Sequence, residues 1–377
     1  MHILHAIRTL DPSTGGPAAV VAGIVQAQLE LGHQVTVGVD EHSPAGMTML
    51  CEGLEQELRS NLNVLVMPSG SAAASLSRTV DVAHIHGVWC PLVRKTIDWA
   101  HRQGIKYVLA PHGALGEWAM SQKSWKKRIA LEMYYRRRIE GASLLHLNNT
   151  QEASELKLLR VHAPTAVVPH GLSSSELARS ISDDIFRKAH MQDSPSPYLL
   201  FLGRLARQKA PDLLVRAFGL IANEFPELQL VVAGPDDGER EKTTAEIARL
   251  APTVRERVLL VGPLFGDEKL SALAGATLTC VPSRAESFGI VLIEALGRGC
   301  PVVYSDRCYF PAIAAAGAGL EFSFSEEGLK NSLRMALNDP TWRAQAAKAG
   351  RCLVADQFVW SAVAKRLDSL YETYCLD

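Results

Sequence analysis

The chain has 377 residues, 47% of them apolar and 21% charged, with a formal net charge of -1. That length exceeds one small core and suits two domains of ordinary size, and the charge balance gives no general attraction to nucleic acid. Seven scattered cysteines, with no C-x-x-C pair, argue for reduced thiols in the cytoplasm over a disulfide framework or zinc site.

Strand and helix signals alternate along the chain, as in parallel α/β sheets. The first strand is expected at Ile3 to Ile7, broken by Arg8 and Asp11, which leaves no signal-peptide core. A loop from Arg8 to Pro17, a helix from Ala18 to about Leu31 and a strand from Val35 to Val39 follow. Gly15 and Gly16 in that loop, with Asp40 ending the second strand, imitate a dinucleotide fingerprint. However, G-x-G-x-x-G is missing and the loop is too long for the tight turn, so a Rossmann oxidoreductase fits poorly. Paired glycines can instead let backbone N–H groups approach a phosphate; a plain flexible loop is the other reading.

Further strands are expected at Asn63 to Met67, Val82 to His86, Lys106 to Ala110, Leu144 to Leu147 and Ala166 to Val168. His86 closes its strand, either lining an acceptor cleft or simply ending the strand. His112 follows the strand Tyr107 to Ala110 at a carboxyl edge, where open α/β sheets bind ligands. Between Trp118 and Arg138, Lys123, Lys126, Lys127, Arg128, Arg136, Arg137 and Arg138 face only Glu132, with Trp125, Ile129, Met133 and Tyr134 interleaved. Such a helix is either a solvated face or one lying on an anionic membrane. No apolar run approaches the ~18–20 residues of a membrane span.

The polar stretch from Ser173 to Pro197 is read as the connector holding the domain hinge. After it come strands at Tyr198 to Leu202, Gln229 to Ala233, Val258 to Val261, Leu278 to Val281 and Val302 to Tyr304. Arg204 and Lys209 follow the first of these, before a helix opening at Pro211; on that loop they can hold a pyrophosphate. Gly262 to Gly266, with backbone groups around Leu264, can shape a pocket for a base, or be a core turn. The most informative segment is E-S-F-G-I-V-L-I-E, Glu286 to Glu294. Its two carboxylates bracket a helix start at Phe288, Gly289 and Ile290, whose unpaired N–H groups suit a phosphate. Carboxylates there accept hydrogen bonds from hydroxyls, which points to a nucleotide sugar. A last helix is expected from about Gln357 to Tyr374, with Val359, Val363, Leu367 and Leu370 at helical spacing.

Together these residues resemble family 4 of the retaining glycosyltransferases, of the bacterial exopolysaccharide and lipopolysaccharide type, with a cyanobacterial flavour. The resemblance runs over most of the chain: Gly15 and Gly16, Pro111 to Gly113, Val168 to Leu172, Gly203 and Arg204 with Lys209, Val232 to Gly234, and Pro282 to Glu294. It implies the GT-B fold, two Rossmann-like doubly wound domains facing across a cleft. The amino-terminal, acceptor-binding domain is placed at 1–175 and the nucleotide-sugar domain at 190–356, with the helix 357–377 packing back on the first. By resemblance, Glu286 faces the donor sugar's hydroxyls, Glu294 binds the ribose, Arg204 and Lys209 hold the diphosphate and His112 lies at the sugar. His170 stands where relatives often have asparagine.

The expected reaction moves a hexose from a nucleotide diphosphate sugar, UDP-glucose or similar, to a hydroxyl of an oligosaccharide or lipid-linked glycan, with retention. No metal or other cofactor is expected: Asp183–Asp184 and Asp236–Asp237 have no neighbouring third ligand, and the two cations with the helix dipole can balance the diphosphate. The expected place is the cytoplasm, with peripheral contact on an anionic membrane through 118–138. Two rival readings are another GT-B sugar-nucleotide enzyme, an epimerase or sugar-phosphate synthase, and a non-catalytic nucleotide-sugar sensor. Assays of donor breakdown with several acceptors, and of turnover itself, separate them.

Overall fold

The computed structural model describes residues 1–11, 16–52, 54–67, 80–122 and 124–376. Contacts divide the chain into two compact units, Met1–Ser173 with Val359–Asp377, and Ser174–Phe358.

In the first unit the strands are β1 His2–Ile7, β2 Gln34–Val39, β3 Leu62–Val66, β4 Val82–His86, β5 Tyr107–Ala110, β6 Leu144–Leu147 and β7 Thr165–Val167. They pair in parallel in the order β3-β2-β1-β4-β5-β6-β7. Every residue of β4, β5 and β6 is buried, as a parallel sheet covered on both faces requires. Alternation sends Leu4, Ala6, Ala83, Ile85, Leu109 and Leu145 into one core. Ile3, Val82, Val108 and Leu144 point the other way, against the helices Gly16–Glu30 and Trp360–Cys375.

The second unit carries β8 Tyr198–Leu202, β9 Gln229–Ala233, β10 Val258–Gly262, β11 Leu278–Val281, β12 Val302–Ser305 and β13 Gly319–Phe322. These also pair in parallel, in the order β10-β9-β8-β11-β12-β13. Strand order therefore reverses between β1 and β4 in one sheet and between β8 and β11 in the other. The carboxyl edge at such a reversal opens a crevice between diverging loops.

Several expectations need correction. The segment read as a polar connector folds as part of the second unit: its helix Asp184–His190 buries Phe186, whose N–H donates to Ser271 Oγ at 2.9 Å. The last helix does not start at Gln357. One helix, Pro340–Gln357, ends there, and Val359 forms a bridge with Leu172 before the next helix begins at Trp360. The basic stretch is not one α-helix: Glu117–Ser121, Ser124–Ala130 and Arg136–Glu140 are separated by other geometry, including a π-turn segment Leu131–Tyr135. β13 has no counterpart in the sequence reading. The first helix begins at Gly16, and Gly15 and Lys123 lie outside the described residues.

Candidate active site

In the second unit the site is built from the loops after β8 and β11. The φ of Gly234 is 149°, and a Cβ there would lie 1.8 Å from the carbonyl oxygen of Gly203, so the turn leaving β8 nests against the end of β9. Arg204 emerges from that turn, 58% exposed, and pairs with Asp237. Further on, the Gln208 carbonyl accepts from the Arg284 N–H at 2.7 Å, while its side-chain amide donates to the Ala285 carbonyl at 2.8 Å. This double stitch joins the two loops and sets Lys209 Nζ 2.5 Å from Glu286 Oε2.

Glu286 is held from a second side by Ser283, whose hydroxyl donates at 3.0 Å; Ser283 is fixed in turn by Ser305 Oγ donating to its carbonyl at 2.7 Å. The Glu286 side chain is 7% exposed and that of Lys209 22%. Gly289 caps the helix Ile290–Gly297 at φ 76° and makes no side-chain cap hydrogen bond to it. A Cβ on Gly289 would press on Glu286 Cγ at 3.1 Å, so glycine leaves room for the carboxylate. One turn into the helix, Glu294 accepts from Lys269 Nζ at 2.8 Å. Burial lowers the Lys269 pKa, but Glu294 outweighs it and the net shift is upward. The sequence reading missed Lys269, because nothing in its own segment marks it; only the packing of Gly266–Gly275 beside Glu294 does.

The other candidates separate by what their side chains touch. Phe288 is 4% exposed and packs on Phe310 and Phe358, and Leu264 is 5% exposed, so for both any ligand contact falls to the backbone. Ile290 opens the helix behind Gly289, and Gly262 ends β10 at φ 81°. Of the acidic pairs, Asp183 and Asp184 ion-pair with Arg187 and Lys188. Asp236 accepts from the N–H groups of Gly238 and Arg240, and Asp237 holds Arg204.

In the first unit His112 stands at the end of β5 with φ 51°, followed by Gly113 at φ 74°. Such a conformation is rare for a residue with a side chain and marks a place the surroundings enforce. Glu152 lies beneath this turn, 6% exposed, and accepts from the Asn148 N–H at 2.9 Å. Burial pushes its pKa up to about 7, against hydrogen bonds from Asn148 and from the Gly113 backbone. The run N-T-Q-E from Asn149 carries its signal as a helix cap: Asn149 Oδ1 accepts from the Glu152 N–H. His86 does not face an open cleft. It is 3% exposed and both ring nitrogens are used, toward His5 at 2.9 Å and His112 at 3.0 Å.

Strand pairing also gathers His5, His84 and His86, with ring nitrogens within 4.8 Å of one another. No sequence spacing suggests this group. His84 stacks on His86 at 4.3 Å, while His5 and His86 lie edge to edge and bond to each other at 2.9 Å; the remaining ring nitrogens bond to Gln28, Tyr371, His146 and His112, so each nitrogen of the three is already engaged.

Two parallel sheets, each reversing its strand order, with a nested glycine turn and paired carboxylates in the second, define a GT-B glycosyltransferase. Residues 15–171 match the glycosyl transferase 4-like domain, and residues 182–352 match glycosyl transferases group 1. The chain belongs to the family 4 glycosyltransferases of GT-B fold.

It is similar to D-inositol 3-phosphate glycosyltransferase 1 of Catenulispora acidiphila, 32% identical over 62% of this chain and 58% of that protein. A GDP-mannose-dependent monoacylated alpha-(1-6)-phosphatidylinositol monomannoside mannosyltransferase of Corynebacterium glutamicum is 24% identical over 82% of each chain. The chain thus spans less than two thirds of the first of these relatives. Among solved structures, Anabaena HepE in complex with UDP superposes with a TM-score of 0.78 over 99% of this chain and all of its own, at 19% identity, which is a likeness of fold.

Proposed function

We propose that the chain is a retaining hexosyltransferase. It moves a hexose from UDP-glucose or a similar nucleoside diphosphate sugar to a hydroxyl of an oligosaccharide or lipid-linked glycan in cell-surface polysaccharide assembly. The observation that carries the proposal is the Lys209–Glu286 pair, poised between two loops at the β8/β11 reversal. Without an anion the ammonium is neutralised by Glu286. An incoming diphosphate competes for Lys209, and the carboxylate so released accepts hydrogen bonds from sugar hydroxyls. The helix start at Gly289 adds N–H donors, and Glu294 suits the ribose hydroxyls. HepE, a relative in fold, has been solved with UDP-glucose, which supports the choice of donor.

Bond breaking leaves the pair of electrons on the diphosphate. Retention then follows from attack on the same face of the sugar, with a departing diphosphate oxygen taking the acceptor's proton. Arg204, Lys209 and the helix dipole supply the positive charge that this leaving group needs, so the reaction as proposed requires no metal. Transfer should therefore persist in EDTA. Contact with a bilayer is part of the same proposal, through the exposed side of 124–138; among the described residues no helix is long and apolar enough to cross a membrane.

The test pairs two variants. Glu286→Gln should cut transfer by a factor on the order of 1,000 while UDP affinity by calorimetry holds or rises, because the contacts to the sugar are lost and Lys209 is freed of its competing carboxylate. Lys209→Ala should weaken UDP itself by about tenfold or more. Wild-type transfer rates in both variants would refute the site.

A further inference from the structure

One face of the first sheet carries His5, His84, His86 and His146, all 3% exposed or less. They join Gln28 of the first helix and Tyr371 of the last into an unbroken file of hydrogen bonds. It runs from His112 to His86 at 3.0 Å, His86 to His5 at 2.9 Å, and His5 to Gln28 Oε1 at 2.7 Å. It continues from Gln28 to the Tyr371 hydroxyl at 3.3 Å, to His84 at 2.7 Å, to His146 at 3.1 Å and to the carbonyl of Val168 at 2.9 Å.

The last link sets the direction of all the others. A carbonyl only accepts, so His146 Nε2 carries a proton. Burial, as the main cause, lowers the pKa of every histidine in the file, so each ring holds one proton. His146 Nδ1 is then an acceptor, His84 donates to it from Nε2, and Tyr371 donates to His84 Nδ1. Having spent its proton, the Tyr371 oxygen accepts from Gln28, which turns the Gln28 carbonyl toward His5. His5 donates from Nε2, His86 donates to His5, and His112 donates from Nε2 to His86 Nδ1. Each step leaves one choice.

The file ends at His112 Nδ1, buried and without a hydrogen-bond partner among the described residues. We infer that this file locks His112 in its Nε2–H tautomer, so that Nδ1 is a standing acceptor which selects a hydroxyl on the bound sugar. The selecting half rests on the glycosyltransferase reading above, with His112 at the sugar; the tautomer does not. A fixed lone pair accepts from O–H and repels an oxygen or fluorine that has no proton to give. Sites built to bind a hydroxyl reject analogues lacking it far more strongly than apolar pockets reject added groups. His5, His86, Gln28 and Tyr371 are in this account positioning residues.

Long-range proton–nitrogen spectra of the full chain, labelled with 15N at histidine and assigned by single His→Gln substitutions, read the tautomers without any ligand. At pH 7.5 His112 should show a protonated Nε2 and a bare Nδ1; a protonated Nδ1, or two exchanging tautomers, would overturn the inference. Tyr371→Phe keeps the ring in its core but frees the Gln28 amide to turn. In that variant the His112 tautomers should mix, and kcat should fall with the fraction of His112 that keeps a bare Nδ1, about twofold for an even mixture. The third measurement uses a set of UDP-deoxyfluoroglucoses. One member should lose far more kcat/KM than the rest, and Tyr371→Phe should shrink that gap. If the tautomer is as stated but no fluoro position stands out, the selecting role fails alone. If no donor is turned over while the spectra hold, it is the glycosyltransferase reading that fails.

Discussion

A Cβ on Gly234 would sit 1.8 Å from the backbone oxygen of Gly203, at a φ of 149° that side chains rarely adopt. Backbone oxygen cannot swing aside as a flexible side chain does, so Gly234→Ala must push apart the ends of β8 and β9. The expected cost is roughly 2–4 kcal/mol in urea unfolding, with weaker UDP binding because Arg204 leaves from that turn. A midpoint within error of wild type would mean the turn yields freely. Lys269 and Glu294 give a second case at this scale. With side chains only 27% and 11% exposed, removing one partner strands a charge that the other no longer balances. Lys269→Met should destabilise by about 3 kcal/mol, and Lys269→Met with Glu294→Gln should recover most of it. Equal stability of single and double variants would show the pair to be uncoupled.

At the scale of elements, the strands were readable and their neighbours were not. Tyr198 to Leu202, Gln229 to Ala233 and Val82 to His86 are runs of apolar and β-branched residues whose ends coincide with the observed strands. Gly319–Phe322 is short and half-polar, G-L-E-F at the sheet edge, where one face needs no apolar residue. The helix expected from Gln357 breaks because Val359 pairs with Leu172, a contact between residues far apart in sequence. The paired glutamates were legible for the opposite reason: their spacing spans one loop and one helix turn. The histidine file could not be seen. His5, His84 and His146 become neighbours only through the register that sets His5 beside His84.

That file also gives the first unit an acid limit. Burial, foremost, lowers His5 and His146 to about 4 and His112 to about 3; His146 is further depressed by Arg366, while bonds to Gln28 and the Val168 carbonyl oppose the shift. Unfolded histidine titrates near 6.5, so between that pH and about 4 the unfolded chain binds protons that the folded unit refuses. Stability from these groups is complete above pH 6.5 and is lost as pH falls. At pH 5, His5, His146 and His112 cost about 2 kcal/mol each, and the melting midpoint should drop by roughly 12–24 °C from its value at pH 7.5. A flat profile across that range would show the rings to be charged or hydrated. Tyr371→Phe removes the hydroxyl from the middle of the file without adding a charge, so the acid drop should persist in it.

Over the whole molecule, a net charge of -1 gives no long-range pull toward an anionic bilayer. Any attraction must come from one place, and 124–138 offers it. Trp125 is 64% exposed, Ile129 50% and Met133 67%, large apolar side chains four residues apart, with Tyr134 46% exposed next to Met133. The local positive charge is smaller than the sequence suggests. Arg138 grips Asp98 through two hydrogen bonds and Arg136 pairs with Glu132, which offsets two of the charges; Lys127 keeps its charge but turns it to the Ala119 carbonyl. Among the described residues of the stretch, Lys126, Arg128 and Arg137 are exposed. Three cations near an anionic surface contribute about 1 kcal/mol each and are screened beyond a Debye length, so apolar insertion has to supply much of the rest. Co-sedimentation with phosphatidylglycerol vesicles at 50 mM salt should therefore fall only partly at 500 mM, and Trp125→Ser with Met133→Ser should lower it by tenfold or more at both. Binding abolished by salt yet indifferent to the serine substitutions would make the contact purely electrostatic, and no sedimentation at low salt would remove it.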